Sequence, residues 1–186
     1  VTDENFWQLF ANENCTSFAG VPYTFELLEQ NHFFDRHLPH LRTVTQAGGR
    51  LAPEKVQAWQ KHLAMQGKSF FVMYGQTEAT ARMGWLPPQM TAEHPDHIGL
   101  PIPGGSFSLE ADDGTTVTTN GEEGELVYTG PNVMMGYLRS AAPGVIEQPE
   151  GGWHDTGDIV AIDEDQCIRI KGRVKRFAKI GGEMVS

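Results

Sequence analysis

Several chemically versatile side chains stand together after an apolar run in the middle of the chain. Residues 70–74 read FFVMY, which predicts a buried strand. Gly75, Gln76, Thr77 and Glu78 follow directly. With Tyr74 they offer a phenol, an amide, a hydroxyl and a carboxylate, beside a glycine that lets a ligand approach the backbone. Open α/β sheets bind ligands beyond the ends of such strands, so this tip is a candidate binding site.

A purely structural interpretation of the same tip stays open at this point. Thr77 is a residue type that caps helices, and Glu78 would then lie in the first turn, where an acidic group is favourable. The elements around the tip must decide between a binding loop and a helix start.

The first half of the chain alternates between predicted helices and strands, which is typical of a parallel α/β layer. The predicted strands end at glycines: Gly20, the pair Gly48 and Gly49, and Gly75. The predicted helices cover residues 3–12, 23–30 and 53–65, and the predicted strands cover 15–19, 41–46 and 70–74.

The second half is predicted to be β-rich. Short apolar runs are separated by turn residues, and Asp113-Gly114 and Asn120-Gly121 are hairpin signals. We expect a small β-barrel or twisted sheet. The predicted organisation is an α/β subdomain at 1–97, a β-barrel-like subdomain at 98–172, and a hinge with the start of a further small domain at 173–186.

Composition excludes several classes of protein. The net charge of −10 argues against a nucleic-acid partner. A basic cluster near the C-terminus predicts a small anionic ligand or an acidic carrier, unless it is simply a solvated strand. The two cysteines are far apart, which makes a cysteine-based zinc site improbable and favours a reduced, cytoplasmic protein. No signal peptide and no run of membrane-spanning length is predicted.

Four segments, in order, resemble the motifs of the adenylate-forming (AMP-binding) enzyme superfamily. They are YGQTE at 74–78, GEL at 124–126 with GPNVMMGY at 130–137, WHDTGD at 153–158 and GRVKRFAKIGGE at 172–183. The superfamily includes acyl-CoA synthetases, adenylation domains of peptide synthetases, and luciferases. The tail RFAKIGGEMVS is most similar to acyl-CoA and acyl-carrier-protein synthetases that act on fatty or related acids.

The resemblance implies a two-step reaction. A carboxylic acid attacks the α-phosphate of ATP, and the resulting acyl-adenylate passes its acyl group to the thiol of CoA or of the phosphopantetheine of an acyl carrier protein. Catalytic roles would fall to Thr77, which holds the α-phosphate, and to Glu78, which binds Mg²⁺. The implied nucleotide-binding residues are Gly48, Gly49, Tyr74, Gly75, Gln76, Asp158 and Arg173.

Within that set, Tyr74 would pack against adenine, Asp158 would accept hydrogen bonds from both ribose hydroxyls, and Arg173 would reach ribose or phosphate oxygens. Lys175 takes the position of the family's hinge, and Gly181 and Gly182 would line the tunnel for the acceptor thiol.

The resemblance also implies that this chain is a fragment. The family's phosphate-binding loop should precede Val1, and its adenylation lysine should follow Ser186. We therefore expect that the chain alone forms no acyl-adenylate.

Two other functions remain possible from the sequence: an amino-acid adenylation domain of a peptide synthetase, and a non-catalytic nucleotide-binding domain of the same fold. A catalytic dyad of His154 and Asp155 is disfavoured, because adjacent residues rarely face each other and no GxSxG motif accompanies them.

Overall fold

A computed structural model of the chain describes residues 1–138, 140–147, 152–174, 178–180 and 183–185, and only the backbone of the last two segments. The chain forms two units. Unit 1 comprises Val1–Tyr74 and Trp85–Asp96, and unit 2 comprises Gly75–Gly84 and His97–Ser186.

Unit 1 is an α/β layer built on parallel strands, as the alternation of predicted elements indicated. Strand β1 pairs in parallel with β2, and β2 pairs in parallel with β3, with Val44 between Phe18 and Phe70. Its elements are α1 (Glu4–Asn12), β1 (Ser17–Gly20), α2 (Pro22–Gln30), β2 (Thr43–Gln46), α3 (Pro53–Met65), β3 (Ser69–Tyr74) and, at its boundary, β4 (Gly84–Leu86).

Local sequence explains where the helices begin. Asp3 caps α1 by accepting a hydrogen bond from the Asn5 backbone at 2.9 Å. Pro22 and Pro53 occupy the first positions of α2 and α3, where a missing N–H costs nothing.

Aromatic packing holds the helices on the sheet. Trp59 of α3 and Phe25 of α2 are fully buried and meet edge to face, with ring centroids 4.8 Å apart. Phe25 also packs on Phe70 of β3, at 5.7 Å. The helices therefore fix β3, whose end is the tip described above.

Unit 2 is dominated by an antiparallel sheet in the order β12-β11-β8-β6-β7. Buried Leu109, Leu126 and Val160 come from its three central strands. The strands of unit 2 are β5 (Leu100–Pro101), β6 (Ser106–Glu110), β7 (Thr116–Val117), β8 (Glu123–Thr129), β9 (Tyr137–Leu138), β10 (Ile146–Glu147), β11 (Trp153–Ile162), β12 (Ile168–Arg173), β13 (Ala178–Ile180) and β14 (Glu183–Val185).

The sheet corrects two details of the sequence prediction. Over the residues that the structure describes it is an open sheet with edges β12 and β7, and it does not close into a barrel. The hairpin at Asp113-Gly114 is confirmed, since Leu109 pairs with Val117. The hairpin predicted at Asn120-Gly121 is wrong: β6 lies between β7 and β8 and pairs with both, so the chain must pass β6 to reach β8.

Among the described residues, no helix combines the length and the apolar character needed to cross a bilayer.

Candidate functional site

The tip after β3 is a tight turn that only glycine permits at its start. A Cβ at Gly75 would lie 2.5 Å from the Ala81 carbonyl oxygen, which is backbone and cannot move aside cheaply. Residues Thr77–Ala79 form a single 3₁₀ turn. Thr80 and Ala81 then adopt left-handed conformations, with φ of 50° and 63°. The helix-cap interpretation of Thr77 is therefore wrong, because no α-helix follows it.

Asn132 braces this turn from a distant part of the chain. Its Nδ2 donates to the carbonyl oxygens of Ala79 and Arg82, at 2.7 and 2.8 Å. Its Oδ1 accepts from the Tyr128 hydroxyl at 2.7 Å, and Tyr128 is fully buried. These three bonds compensate for the strain of two consecutive left-handed residues. From the sequence, Asn132 was known only as part of the GPNVMMGY motif.

A second loop is formed where β11 breaks its pairing with β8. The register shifts between Asp155 and Ile159, which marks an irregularity of the bulge type. Thr156 is buried, and its hydroxyl donates to the Leu126 carbonyl at 2.8 Å while it accepts from the Asp158 backbone at 3.1 Å. Gly157 adopts a φ of 65°. The result is a fixed backbone that turns the Asp158 side chain inward.

The two loops meet through Gln76. Its Nε2 donates to the Thr156 carbonyl oxygen at 2.9 Å and to Oδ2 of Asp158 at 3.1 Å. On its other side, Oε1 lies 2.9 Å from Nε2 of His154. Three residues of the WHDTGD segment are thus held to one side chain of the YGQTE segment.

Asp158 is the most deeply buried carboxylate of this network, with 2% of the residue exposed. Its Oδ1 accepts a hydrogen bond from Nε of Arg173 at 2.6 Å, in an ion pair whose arginine side chain is 49% exposed. Asp158 and Arg173 are also register partners on β11 and β12. Unit 2 therefore brings Gln76, Asp158 and Arg173 together, with His154 beside them.

Burial lowers the pKa of His154, although the nearby carboxylates of Glu78, Asp155 and Asp158 act in the opposite direction. The imidazole is thus neutral near pH 7. From the sequence, His154 was considered only as a partner of adjacent Asp155, whereas its hydrogen bond joins it to Gln76, 78 positions away along the chain.

Glu78 presents a half-buried carboxylate beside the turn. Its Oε1 accepts from the Tyr137 hydroxyl at 3.3 Å, and its backbone carbonyl oxygen accepts from Met134 N at 2.7 Å. A single carboxylate at a fixed position suits Mg²⁺, which proteins often hold through one or two carboxylates plus the phosphates of a substrate. Thr77, next to it, is exposed.

The other predicted site residues lie in unit 1 or outside the described residues. Gly48 and Gly49 follow β2, and Tyr74 ends its parallel neighbour β3, where it is buried. Fully buried Gln46 donates to the Gly49 carbonyl oxygen at 2.7 Å and so fixes the glycine loop. Lys175, Gly181 and Gly182 lie outside the described residues.

Comparison with known proteins identifies the family. Residues 1–138 match the family model described as "AMP-binding enzyme". The chain belongs to the AMP-binding enzyme family. The match covers the strand–turn of the tip and the Asn132 brace, while the segment of Asp158 lies beyond it.

Individual AMP-binding relatives extend the similarity across almost the whole chain. A long-chain-fatty-acid–CoA ligase of Yersinia pestis is 34% identical over 169 residues, which is 90% of this chain and 29% of the relative. An L-proline–[L-prolyl-carrier protein] ligase of Streptomyces coelicolor is 32% identical over 173 residues, or 91% of this chain and 32% of that protein. This chain therefore spans about a third of the length of such relatives.

The fold is also shared with solved structures. VinN superimposes with a TM-score of 0.73 at 32% identity, over 89% of this chain and 41% of VinN. The α/β layer followed by a β-rich sheet is thus the architecture of a part of these enzymes.

Proposed function

We propose that this chain is the nucleoside-binding part of an ATP-dependent ligase that converts a carboxylic acid to an acyl-adenylate and passes the acyl group to a thiol. The observation that carries the proposal is the carboxylate of Asp158, buried in unit 2 and oriented by Gln76 and Arg173. A buried carboxylate kept in place by donors is suited to receive the two hydroxyls of a ribose, because it accepts hydrogen bonds and donates none.

Arg173 supports the same role. Its guanidinium donates through Nε to Oδ1 of Asp158. Half of its side chain is exposed, so it would reach ribose or phosphate oxygens while it stays bonded to the carboxylate.

Glu78 would hold Mg²⁺, and Thr77 would donate its hydroxyl to the α-phosphate. When bound, the ion would neutralise phosphate charge as the two anions, carboxylate and triphosphate, approach each other. In the reaction, an acid oxygen forms a bond to the α-phosphorus and the bond to pyrophosphate breaks. The role of the chain's own residues is to fix the nucleotide for in-line attack.

The carboxylic acid is proposed to be a fatty or related acid, and the acceptor to be CoA or the phosphopantetheine of an acyl carrier protein. The Yersinia pestis relative, named for long-chain fatty acids and CoA, supports this choice. The Streptomyces coelicolor relative, named for proline and a carrier protein, favours an amino-acid substrate as the second candidate.

Further parts of the proposal rest on the sequence. Tyr74, with Gly48 and Gly49, would accommodate adenine. Lys175 would act as the hinge, and Gly181 and Gly182 would line the acceptor tunnel. A cytoplasmic location belongs to the same proposal.

Titration calorimetry of the 186-residue chain with AMP and with adenosine tests the nucleoside site. We expect weak but saturable binding of both, with loss of binding in Asp158→Ala and no change in the exposed-surface variant His40→Gln. Pyrophosphate exchange by this chain alone should be absent. A polypeptide of the relatives' length that carries this sequence should catalyse the exchange when its own carboxylic acid substrate is present. A screen of fatty acids against amino acids in that polypeptide separates the two substrate classes. Absence of any AMP binding would contradict the proposal.

A further inference from the structure

The side-chain amide of Gln76 can be oriented unambiguously. One of its ends faces two groups that only accept hydrogen bonds, the Thr156 carbonyl oxygen and the Asp158 carboxylate. That end must be the NH₂ group, which has two protons for the two acceptors. The other end is therefore the carbonyl oxygen Oε1, and it faces Nε2 of His154 at 2.9 Å.

The orientation of the amide fixes the proton of His154. Since Oε1 only accepts, Nε2 of His154 must donate, so the neutral imidazole carries its proton on Nε2. The low pKa that burial gives to His154 keeps this neutral form dominant near pH 7. A directed chain of donors thus runs from His154 through Gln76 to Asp158.

We propose that His154 is a positioning residue for the nucleoside site: its Nε2–H holds the Gln76 amide in the one orientation that donates to Asp158. Without this donor, a rotation of the amide by 180° would place Oε1 against the Asp158 carboxylate, which is buried and would meet oxygen instead of N–H. The proposal rests on the function proposed above, in which the Asp158 carboxylate receives the ribose.

The two oxygens of the Asp158 carboxylate accept hydrogen bonds from different elements. Arg173 holds Oδ1 at 2.6 Å from the β12 side, and Gln76 holds Oδ2 at 3.1 Å from the turn after β3. Arg173 is half exposed, whereas the Gln76 donor is held by the partly buried imidazole of His154. His154 therefore acts on the Asp158 carboxylate through Gln76.

Nitrogen-detected NMR of the His154 ring in the unmodified 186-residue chain gives the first test. We expect a neutral imidazole with its proton on Nε2 at pH 7. A proton on Nδ1, or a fast mixture of both tautomers, would overturn the proposal without any variant and without any ligand.

Variants give the second test, through the side-chain NH₂ resonances of Gln76 and the affinity for AMP. In His154→Leu the Gln76 resonances should shift and broaden, and AMP should bind about fivefold to tenfold more weakly, the effect of one lost hydrogen bond. His154→Gln supplies a side-chain N–H donor and should restore most of the Gln76 signals and most of the affinity for AMP. His40→Gln, which alters an exposed histidine of unit 1, is the matched control and should change neither.

The outcomes separate this inference from the proposed function. If the wild-type chain binds no AMP, the proposed function fails, while the tautomer and the Gln76 resonances still decide whether His154 orients the amide. If AMP binds but His154→Leu leaves the Gln76 resonances unchanged, or His154→Gln is no better than His154→Leu, the positioning role is wrong. Should His154→Leu not fold, the wild-type tautomer and His154→Gln decide the question.

Discussion

Arg173 and Asp158 face each other across the β11–β12 pair and are joined by a hydrogen bond of 2.6 Å, although one side chain is half exposed and the other is 3% exposed. The buried partner depends on the exposed one, since removing the arginine leaves a carboxylate with less compensation for its burial.

Arg173→Ala should lower the free energy of unfolding by about 1–2 kcal/mol, the usual value of a hydrogen bond to a charged group reduced by solvent screening. It should also weaken AMP binding about tenfold, because the carboxylate loses the donor that holds Oδ1. Chemical denaturation and calorimetry measure the two effects. Arg169→Ala, on the same strand, is the control, and an equal loss of affinity in that variant would contradict a specific role for Arg173.

Gly75→Ala should destabilise the chain by about 2–3 kcal/mol, because the new Cβ would press on the Ala81 carbonyl oxygen. Urea denaturation measures the change. Gly172→Ala is the matched control, since a Cβ there meets no atom within 4 Å and its backbone is not left-handed. Equal stability of the two variants would show that the turn can open to admit a side chain.

Asn132→Ala should cost about 2–4 kcal/mol, because it removes three hydrogen bonds and leaves the strained residues Thr80 and Ala81 without their brace. Tyr128→Phe removes only one of these bonds and should cost about 1 kcal/mol. Asn120→Ala, at an exposed position, should change the free energy of unfolding little. A larger effect of Tyr128→Phe than of Asn132→Ala would rule out the brace as described.

The free energy of unfolding should decrease as the pH is lowered below 6.5, the ordinary histidine pKa. The reason is that folding lowers the pKa of His154. Between the two pKa values the unfolded chain binds a proton that the folded chain does not, so protons favour unfolding there. Thermal unfolding at pH 7.5 and pH 5.5 measures this loss. In His154→Gln the loss of thermal stability between pH 7.5 and pH 5.5 should be smaller. An identical loss in this variant would show that other groups cause it.

Cys167 should resist alkylation in the folded chain. Burial, assisted by the nearby carboxylate of Asp163, raises the pKa of its thiol to about 12. At pH 8 only about one thiol in ten thousand would be the reactive thiolate. Partly exposed Cys15 should react with iodoacetamide first, and peptide mapping should find Cys167 labelled only in denaturant. Rapid labelling of Cys167 in a Cys15→Ser variant would contradict its burial.

The sequence predicted those elements whose signal is local. The helix over 53–65 was found as Pro53–Met65, and the strand over 70–74 as Ser69–Tyr74, because apolar periodicity and a flanking proline or glycine mark both. The family motifs likewise predicted that the segments of Gln76, Asp158 and Arg173 belong to one site, although their roles stay proposals.

What the sequence could not supply are contacts between distant positions. His154 was considered only beside its neighbour Asp155, whereas its partner is Gln76. Asn132 reaches back fifty positions to Arg82 and fifty-three to Ala79. The Asn120-Gly121 signal correctly marks a turn. It does not show that β8, after the turn, pairs with β6 instead of with β7.

The open edge of the unit 2 sheet has a further consequence, for solubility. Strand β12 forms this edge and carries Arg169, Lys171 and Arg173 within six residues. If the β12 strands of two copies paired, these cations would lie on strands about 5 Å apart. Their mutual repulsion would oppose edge-to-edge aggregation, a protection that an open sheet requires and a closed barrel does not.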